Sequence, residues 1–170
     1  MDCSIQVMSE PLVLVSYLPG EGFLASEQHR VVPIRCDTDL SYWKGIADRW
    51  DHPASLVNIE HDLEWTDAQV TELLSCKYDA CSYAYRCNWV STGQPNGVWA
   101  HTANGVFIER GDEWAEWSGL GFIKIAPAAR IAPLREAVWN RVENSIDEAV
   151  KTPWHMHWGP NGNGVPHWHW

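Results

Sequence analysis

The chain has 170 residues and a formal net charge of −10, and apolar residues make up 45% of it. This length suits a single domain, residues 1–170, that buries its own core. The excess of acid argues against a nonspecific polyanion-binding protein, because such proteins usually carry a basic patch.

The N-terminal sequence gives no sign of export. Met1-Asp2-Cys3-Ser4 lacks the basic start of a signal peptide, and no apolar run approaches the roughly 20 residues that a membrane span needs. We therefore expect a cytoplasmic protein that does not associate with membranes.

Three apolar runs in the first sixty residues predict strands, at 11–18, 31–35 and 55–59. The turn 19–22 closes the first of them. Apolar residues at three- and four-residue spacing predict a short amphipathic helix at 39–50. Thr66 and Gln69 fit a capping box that starts a second helix, which ends near Cys76.

The second half is richer in turns. Short strands are predicted at 83–90, 105–108 and 121–125, with a loop at 92–97 and an acidic, aromatic loop at 109–119. Apolar residues four apart predict a long helix from about Pro133 to Val150. This alternation predicts one α/β domain, a three-layer mixed sheet flanked by helices.

The five cysteines predict reduced thiols, because their number is odd and export is not expected. Cys76, Cys81 and Cys87 do not have the CxxC spacing of a zinc knuckle. We therefore expect buried, inert thiols at these positions rather than a structural metal.

A carboxylate, an imidazole and a second carboxylate, Glu60-His61-Asp62, directly follow the third predicted strand. Ligands of open α/β sheets bind just beyond the carboxyl ends of the strands. Two carboxylates placed there suit Mg²⁺ or Mn²⁺, which share oxygen ligands between protein and phosphate. A solvated acidic turn is the alternative interpretation.

The C-terminal segment contains two H-x-H pairs, formed by His155 and His157 and by His167 and His169. An extended chain places both histidines of a pair on one face and the tryptophans on the other. Together with the carboxylate pair they would form a site for Mn²⁺ or Zn²⁺. Alternatively, the segment is an aromatic tail whose histidines face water.

Three stretches carry a resemblance, "SLVNIEHDLEWTDAQVTELLSC", "GLGFIKIAP" and "HMHWGPNGNGVPHWHW". In this order they resemble small glycosyltransferases of GT-A type, which are nucleotide-diphospho-sugar transferase-like proteins and include bacteriophage-encoded members. The resemblance implies a GT-A-like, Rossmann-related fold, and a location in the host cytoplasm if the chain is phage-encoded. The triplet lacks the first aspartate of the usual DxD motif, and the chain is short for that fold.

The resemblance also implies residue roles. Asp62 and Glu60 would bind the Mn²⁺ or Mg²⁺ that bridges the donor diphosphate, and a tail histidine would complete the site, with His157 or His167 as first choices. Three further residues would lie near the nucleotide base and ribose: Tyr17, Pro19 and Asp37.

An inverting transferase also needs a carboxylate base beside the acceptor hydroxyl. Asp112, Glu113 and Glu116 are the candidates, and Trp114 and Trp117 flank them as stacking surfaces. A solvated acidic turn is again the alternative.

Three functions remain open from the sequence. The first is a metal-dependent glycosyltransferase that uses a UDP- or GDP-sugar and acts on a glycan or on a hydroxymethylated base in phage DNA. The second is a zinc-dependent hydrolase that uses the tail histidines, with Glu60 as base. The third is a noncatalytic carbohydrate-binding module that stacks sugars on some of its 12 tryptophans.

Overall fold

The computed structural model describes residues 9–87, 98–101, 107–108, 111–116, 118–134, 141–150, 152–158 and 165. Ten strands occur in this part of the chain: β1 Leu12–Tyr17, β2 Val31–Arg35, β3 Leu56–Ile59, β4 Ala80–Tyr83, β5 Arg86–Cys87, β6 Val98–His101, β7 Phe107–Ile108, β8 Trp114–Ala115, β9 Phe122–Ile125 and β10 Trp154–His157. The helices are α1 Asp39–Ala47, α2 Asp67–Ser75, α3 Arg141–Val150 and a short 3₁₀ helix, Pro127–Ala129.

Seven strands form one mixed sheet in the order β2-β1-β3-β9-β4-β10-β8. Strand β1 pairs in parallel with β2 and β3, and β4 pairs in parallel with β10. Strand β9 runs antiparallel between β3 and β4. The five strands other than β8 and β9 therefore end at the same side of the sheet, which we call the carboxyl edge. Strands β5, β6 and β7 form a separate antiparallel sheet.

Helices cover both faces of the seven-stranded sheet. Ile46 of α1 and Ile146 of α3 pack on one face with Leu14, whereas Val70 and Leu73 of α2 pack on the other face with Val57. The period-two alternation of the strands sends successive side chains to opposite faces. The prediction of a single α/β domain with a three-layer, Rossmann-like architecture is thus confirmed.

Most of the elements predicted in the first half of the chain are confirmed. The three strands form within a residue or two of the predicted positions. Helix α2 begins with the predicted capping box, in which Thr66 and Gln69 exchange side-chain and backbone hydrogen bonds. Helix α1 has a capping box of its own, made by Thr38 and Ser41, and it ends at Ala47 rather than at residue 50.

The second half departs further from the sequence prediction. Within the predicted strand 83–90 the described residues form β5, Arg86–Cys87, and a further strand, β4, precedes it at Ala80–Tyr83. Trp114–Ala115 forms an edge strand where a loop is predicted. Pro133 and Leu134 lie outside any helix, so the last helix does not begin at Pro133. The reason is that short strands here depend on partners far along the chain. The predicted loop at 92–97 lies outside the described residues.

Among the described residues, no helix has the length and apolar character that crossing a bilayer requires.

Helix α1 lies very close to strand β2, and Gly45 makes this approach feasible. A Cβ atom at Gly45 would lie 2.3 Å from Cγ2 of Ile34, which is buried and stiff about χ1. We expect Gly45→Ala to lower the free energy of unfolding by about 1–3 kcal/mol, as overpacking of a core does. Urea denaturation followed by circular dichroism measures it.

The matched test uses the Ile34→Ala background, where the clashing methyl group is absent. There Gly45→Ala should be neutral or stabilising, because alanine is the better helix former by about 1 kcal/mol. A loss of equal size in both backgrounds would contradict this explanation.

Candidate functional site

The carboxyl edge has a topological switch point between β1 and β3. The chain passes from β1 to β2 on one side of β1, and then crosses through α1 to β3 on the other side. In open α/β sheets the crevice at such a point is the usual ligand site. The loop after β1 and the turn that follows Ile59 border this crevice.

Glu60 occupies a fixed position at this point. Its backbone N–H donates to the carbonyl oxygen of Gly121 at 2.8 Å, and its Oε1 accepts from the hydroxyl of Tyr42 at 3.2 Å. Asn58 Nδ2 in turn donates to the Tyr42 hydroxyl at 2.9 Å and to the Leu120 carbonyl at 2.8 Å. The Glu60 carboxylate is therefore held by a network that links β3, α1 and the segment before β9.

The Tyr42 hydroxyl acts as a donor because it stays protonated. Burial raises the pKa of Tyr42 well above its usual value, and the nearby charge of Glu60 raises this pKa further. Burial likewise raises the pKa of Cys36 to about 11, and Glu60 adds to this effect. Cys36 is thus a neutral thiol.

The residues expected near the nucleotide lie at the ends of β1 and β2. The Tyr17 ring packs against Phe23, with 5.6 Å between ring centroids, and 42% of Phe23 is exposed. Pro19 is exposed in the turn after β1. Asp37 accepts a hydrogen bond from Arg35 Nε at 2.9 Å, and both side chains are largely exposed. An aromatic surface and polar groups thus border the crevice.

The carboxylate groups of Glu60 and Asp62 are suitable ligands for a hard divalent cation. Both are half-buried in the turn that follows β3, and both provide carboxylate oxygens, which Mg²⁺ and Mn²⁺ prefer. Two protein ligands suit a cation that takes its other ligands from phosphate and water.

The structure does not bring the tail histidines to this acidic pair. His155 and His157 lie on β10, three strand spacings from β3, which corresponds to about 14 Å across the sheet. They face α2, where His157 Nδ1 lies 2.9 Å from Glu72 Oε1, whereas Glu60 faces α1. His167 and His169 lie outside the described residues.

The predicted alternation of the tail is confirmed in β10. Trp154 and Met156 are buried on one face, and His155 and His157 lie half-buried on the other. Both histidines meet cysteines there. One potential ligand atom from each of Cys76, Cys81, His155 and His157 lies within 4.8 Å of all the others.

Sequence reasoning missed this cluster because it treated the cysteines and the histidines separately. Cys81 faces His155 directly in the parallel pairing of β4 with β10. The sequence does contain a pattern that could have predicted the cluster. A CxxxxC pair and an H-x-H pair together supply four ligands of the types that zinc prefers. That the two pairs meet depends on strand pairing between segments more than 70 residues apart.

The acidic middle loop lies along the far side of the sheet. Asp112 and Glu113 precede the edge strand β8 and lie towards the carboxyl edge, where Trp158 Nε1 donates to the Asp112 carbonyl at 2.7 Å. Glu116 follows β8, so it lies towards the opposite edge. Trp114 contacts the His155 ring, and Trp117 is outside the described residues.

No family model and no curated protein matches the chain. A solved structure does, "Crystal Structure of A197 from STIV", with a TM-score of 0.56, 11% sequence identity, and coverage of 88% of this chain and 82% of that chain. At this identity the similarity shows the fold alone, and it agrees with the Rossmann-like, three-layer architecture described above.

The hydrogen bond from Tyr42 to Glu60 can be tested by removing one oxygen atom. We expect Tyr42→Phe to lower the free energy of unfolding by about 1–2 kcal/mol, because Glu60 and Asn58 both lose a partner. Chemical denaturation measures the change. Tyr17→Phe is the control, since its half-buried ring contacts Phe23 rather than this network; equal losses in both variants would contradict the role of the hydroxyl.

Proposed function

We propose that the protein is a metal-dependent glycosyltransferase that binds a nucleotide-diphosphate sugar at the carboxyl edge of β1, β2 and β3. The observation that carries this proposal is the position of Glu60 and Asp62, in the turn after β3 and at the switch point of the sheet. The order of strand, acidic turn and capped helix that carries the sequence resemblance is the order found in the fold.

The charge at the switch point favours a bridging cation. Glu60 and Asp62 would repel a diphosphate, and the nearby cation Arg35 is paired with Asp37. Glu60 and Asp62 would hold a divalent ion, and its charge would reverse this repulsion. When bound, such an ion neutralises the charge that develops on the nucleoside diphosphate leaving group.

The proposal gives different roles to the residues that orient Glu60 and to those that contact the nucleotide base. Tyr42 and Asn58 orient Glu60, as their hydrogen bonds indicate. The exposed ring of Phe23, beside Tyr17, offers a stacking surface for the nucleotide base. The middle-loop carboxylates Asp112, Glu113 and Glu116 flank β8, four strand spacings or about 19 Å from β3, so we assign none of them as the acceptor base at this site.

A zinc hydrolase built on the tail histidines fits the geometry less well. The two histidines lie with two cysteines, and four such ligands fill a tetrahedral site and leave no position for water. Glu60, the base in that scheme, belongs to the opposite face of the sheet.

We expect UDP or GDP to raise the melting temperature in the presence of Mn²⁺, and the matching nucleotide sugar to be hydrolysed or transferred slowly. Asp62→Asn and Glu60→Gln should each reduce the Mn²⁺-dependent activity by about 100-fold or more, since each removes a charged ligand of the cation. Thermal shift and release of nucleoside diphosphate are the two measurements.

Glu64→Gln is the matched control, because Glu64 is an exposed carboxylate two residues beyond Asp62. It should retain full activity. Nucleotide binding and turnover that persist in chelator and in the Asp62 and Glu60 variants would rule out this function. Metal-independent sugar binding without turnover would instead support a carbohydrate-binding module.

A further inference from the structure

We propose that Cys76, Cys81, His155 and His157 form a structural zinc site that fastens strand β10 to β4 and to the end of helix α2. This site goes beyond the proposed transferase activity and is independent of it, because it lies on the other face of the sheet. The four potential ligand atoms lie within 4.8 Å of one another.

Two of the distances between these atoms match a tetrahedral zinc ion. Zn–S bonds of about 2.3 Å and Zn–N bonds of about 2.0–2.1 Å place neighbouring S and N atoms about 3.5–3.6 Å apart and two N atoms about 3.3–3.4 Å apart. Cys76 Sγ lies 3.5 Å from His155 Nδ1, and His155 Nδ1 lies 3.3 Å from His157 Nε2. Thiolate and imidazole together are ligands typical of structural zinc.

A carboxylate on the outer side of the His157 ring orients it. His157 Nδ1 lies 2.9 Å from Glu72 Oε1, whereas Glu113 Oε1 lies 3.9 Å from His155 Nε2, beyond hydrogen-bond distance. Histidines that bind metals commonly donate their other ring N–H to a carboxylate in this way. The Tyr83 hydroxyl donates to the second oxygen of Glu72 and so fixes the carboxylate.

The hydrogen bond to Glu72 determines which ring nitrogen of His157 is free to bind a metal. Burial acts to raise the pKa of Glu72, but hydrogen bonds from Tyr83 and His157 outweigh it, so that the pKa is lowered and the group is ionised at neutral pH. An ionised carboxylate accepts the Nδ1 proton of His157, which assigns the tautomer with a lone pair on Nε2. That lone pair faces His155 Nδ1 across 3.3 Å. The two nitrogen atoms are therefore close enough to bind one cation.

His155 is held in the neutral form that a metal ligand requires. Burial lowers its pKa, and the neighbouring His157 lowers it further. Its ring also packs against Tyr78 and Trp114, with centroid distances of 4.5 and 5.2 Å. The ring therefore has little freedom to turn away from the cluster.

A buried cation, Lys124, lies beside the sulfur atoms. Lys124 on β9 pairs with Cys81 across the sheet, is only 3% exposed, and donates to the carbonyl oxygen of Cys76 at 2.9 Å. Burial and the neighbouring Cys76 raise the pKa of Cys81 to about 12, although the charge of Lys124 partly opposes this rise. A divalent ion adds to the effect of Lys124, and with two thiolates it forms a neutral group that is easier to bury.

The effect of the ion would be to close a long loop. The ligands come from residues 79 positions apart, since Cys76 and His155 are bound to the same ion. Crosslinks across long loops remove the most entropy from the unfolded chain. With all four positions of the tetrahedron filled by protein, the ion serves stability rather than catalysis.

The test uses the full-length chain without a polyhistidine tag, expressed with added zinc. We expect about one zinc ion per chain by plasma mass spectrometry, and chelation should lower the melting temperature by about 5–15 °C. Cobalt exchanged into the site should give the intense visible absorption of a tetrahedral ion and a sulfur-to-cobalt charge-transfer band. A chain with less than a tenth of an equivalent of zinc and no such spectrum, or with a Cys76–Cys81 disulfide in its place, would overturn the proposal.

Three variants distinguish the zinc ligands from neighbouring residues. Cys76→Ser should lose the zinc and the charge-transfer intensity, whereas Cys36→Ser, which changes a half-buried thiol outside the cluster, should keep both. Glu72→Gln retains all four ligands, so the tetrahedral cobalt spectrum should persist while zinc affinity falls by about 10–100-fold in a chelator competition. Full zinc affinity in both Cys76→Ser and Glu72→Gln would show that the metal binds elsewhere.

Discussion

The antiparallel pairing of β9 between β3 and β4 is the constraint on which the rest of the structure depends. Strand β9 bonds to β3 from Leu56↔Ile125 to Ile59↔Phe122 and to β4 from Ala80↔Ile125 to Ser82↔Ile123. It therefore joins two groups of parallel strands in one register. As a result, the ends of β3, β4 and β10 all reach the carboxyl edge at nearly the same height.

The same pairing divides the chemistry of the protein between the two faces of the sheet. Because side chains alternate along a strand, Asn58 and Glu60 face α1, whereas Cys81 and His155 face α2. The acidic pair and the histidines, which the sequence analysis assigned to one metal site, thus lie on different faces of the sheet. The two proposed sites differ in their donor atoms: hard oxygen atoms at the switch point, and sulfur and imidazole groups at the end of α2 and on β4 and β10.

Lys124, on the central strand β9, connects the sheet to the segment between α2 and β4. Its ammonium group is buried, which is costly unless it is hydrogen-bonded, and the carbonyl oxygens of Cys76 and Tyr78 both accept from it. It fixes the segment between α2 and β4 against the sheet. This positions the Cys76 side chain, at the end of a short helix, beside a strand that lies far along the chain.

Some of these features follow from local sequence, and others do not. The strands β1, β2 and β3, the capping box of Thr66 and the alternation of β10 were predictable, because short-range spacing and capping chemistry determine them. Strands β4 and β8 were not, because they lie in a turn-rich stretch without a clear apolar run and depend on pairing with distant segments.

The sequence by itself determined that the chain forms one α/β domain, that an acidic pair follows the third strand, and that His155 and His157 share a face. Only the tertiary structure decided what each group meets: Tyr42 reaches Glu60, and Cys81 reaches His155. The physical reason is that strand order and register are set by hydrogen bonding between distant segments. A pattern within one segment fixes which way a side chain points, but the partner strand fixes what lies opposite it.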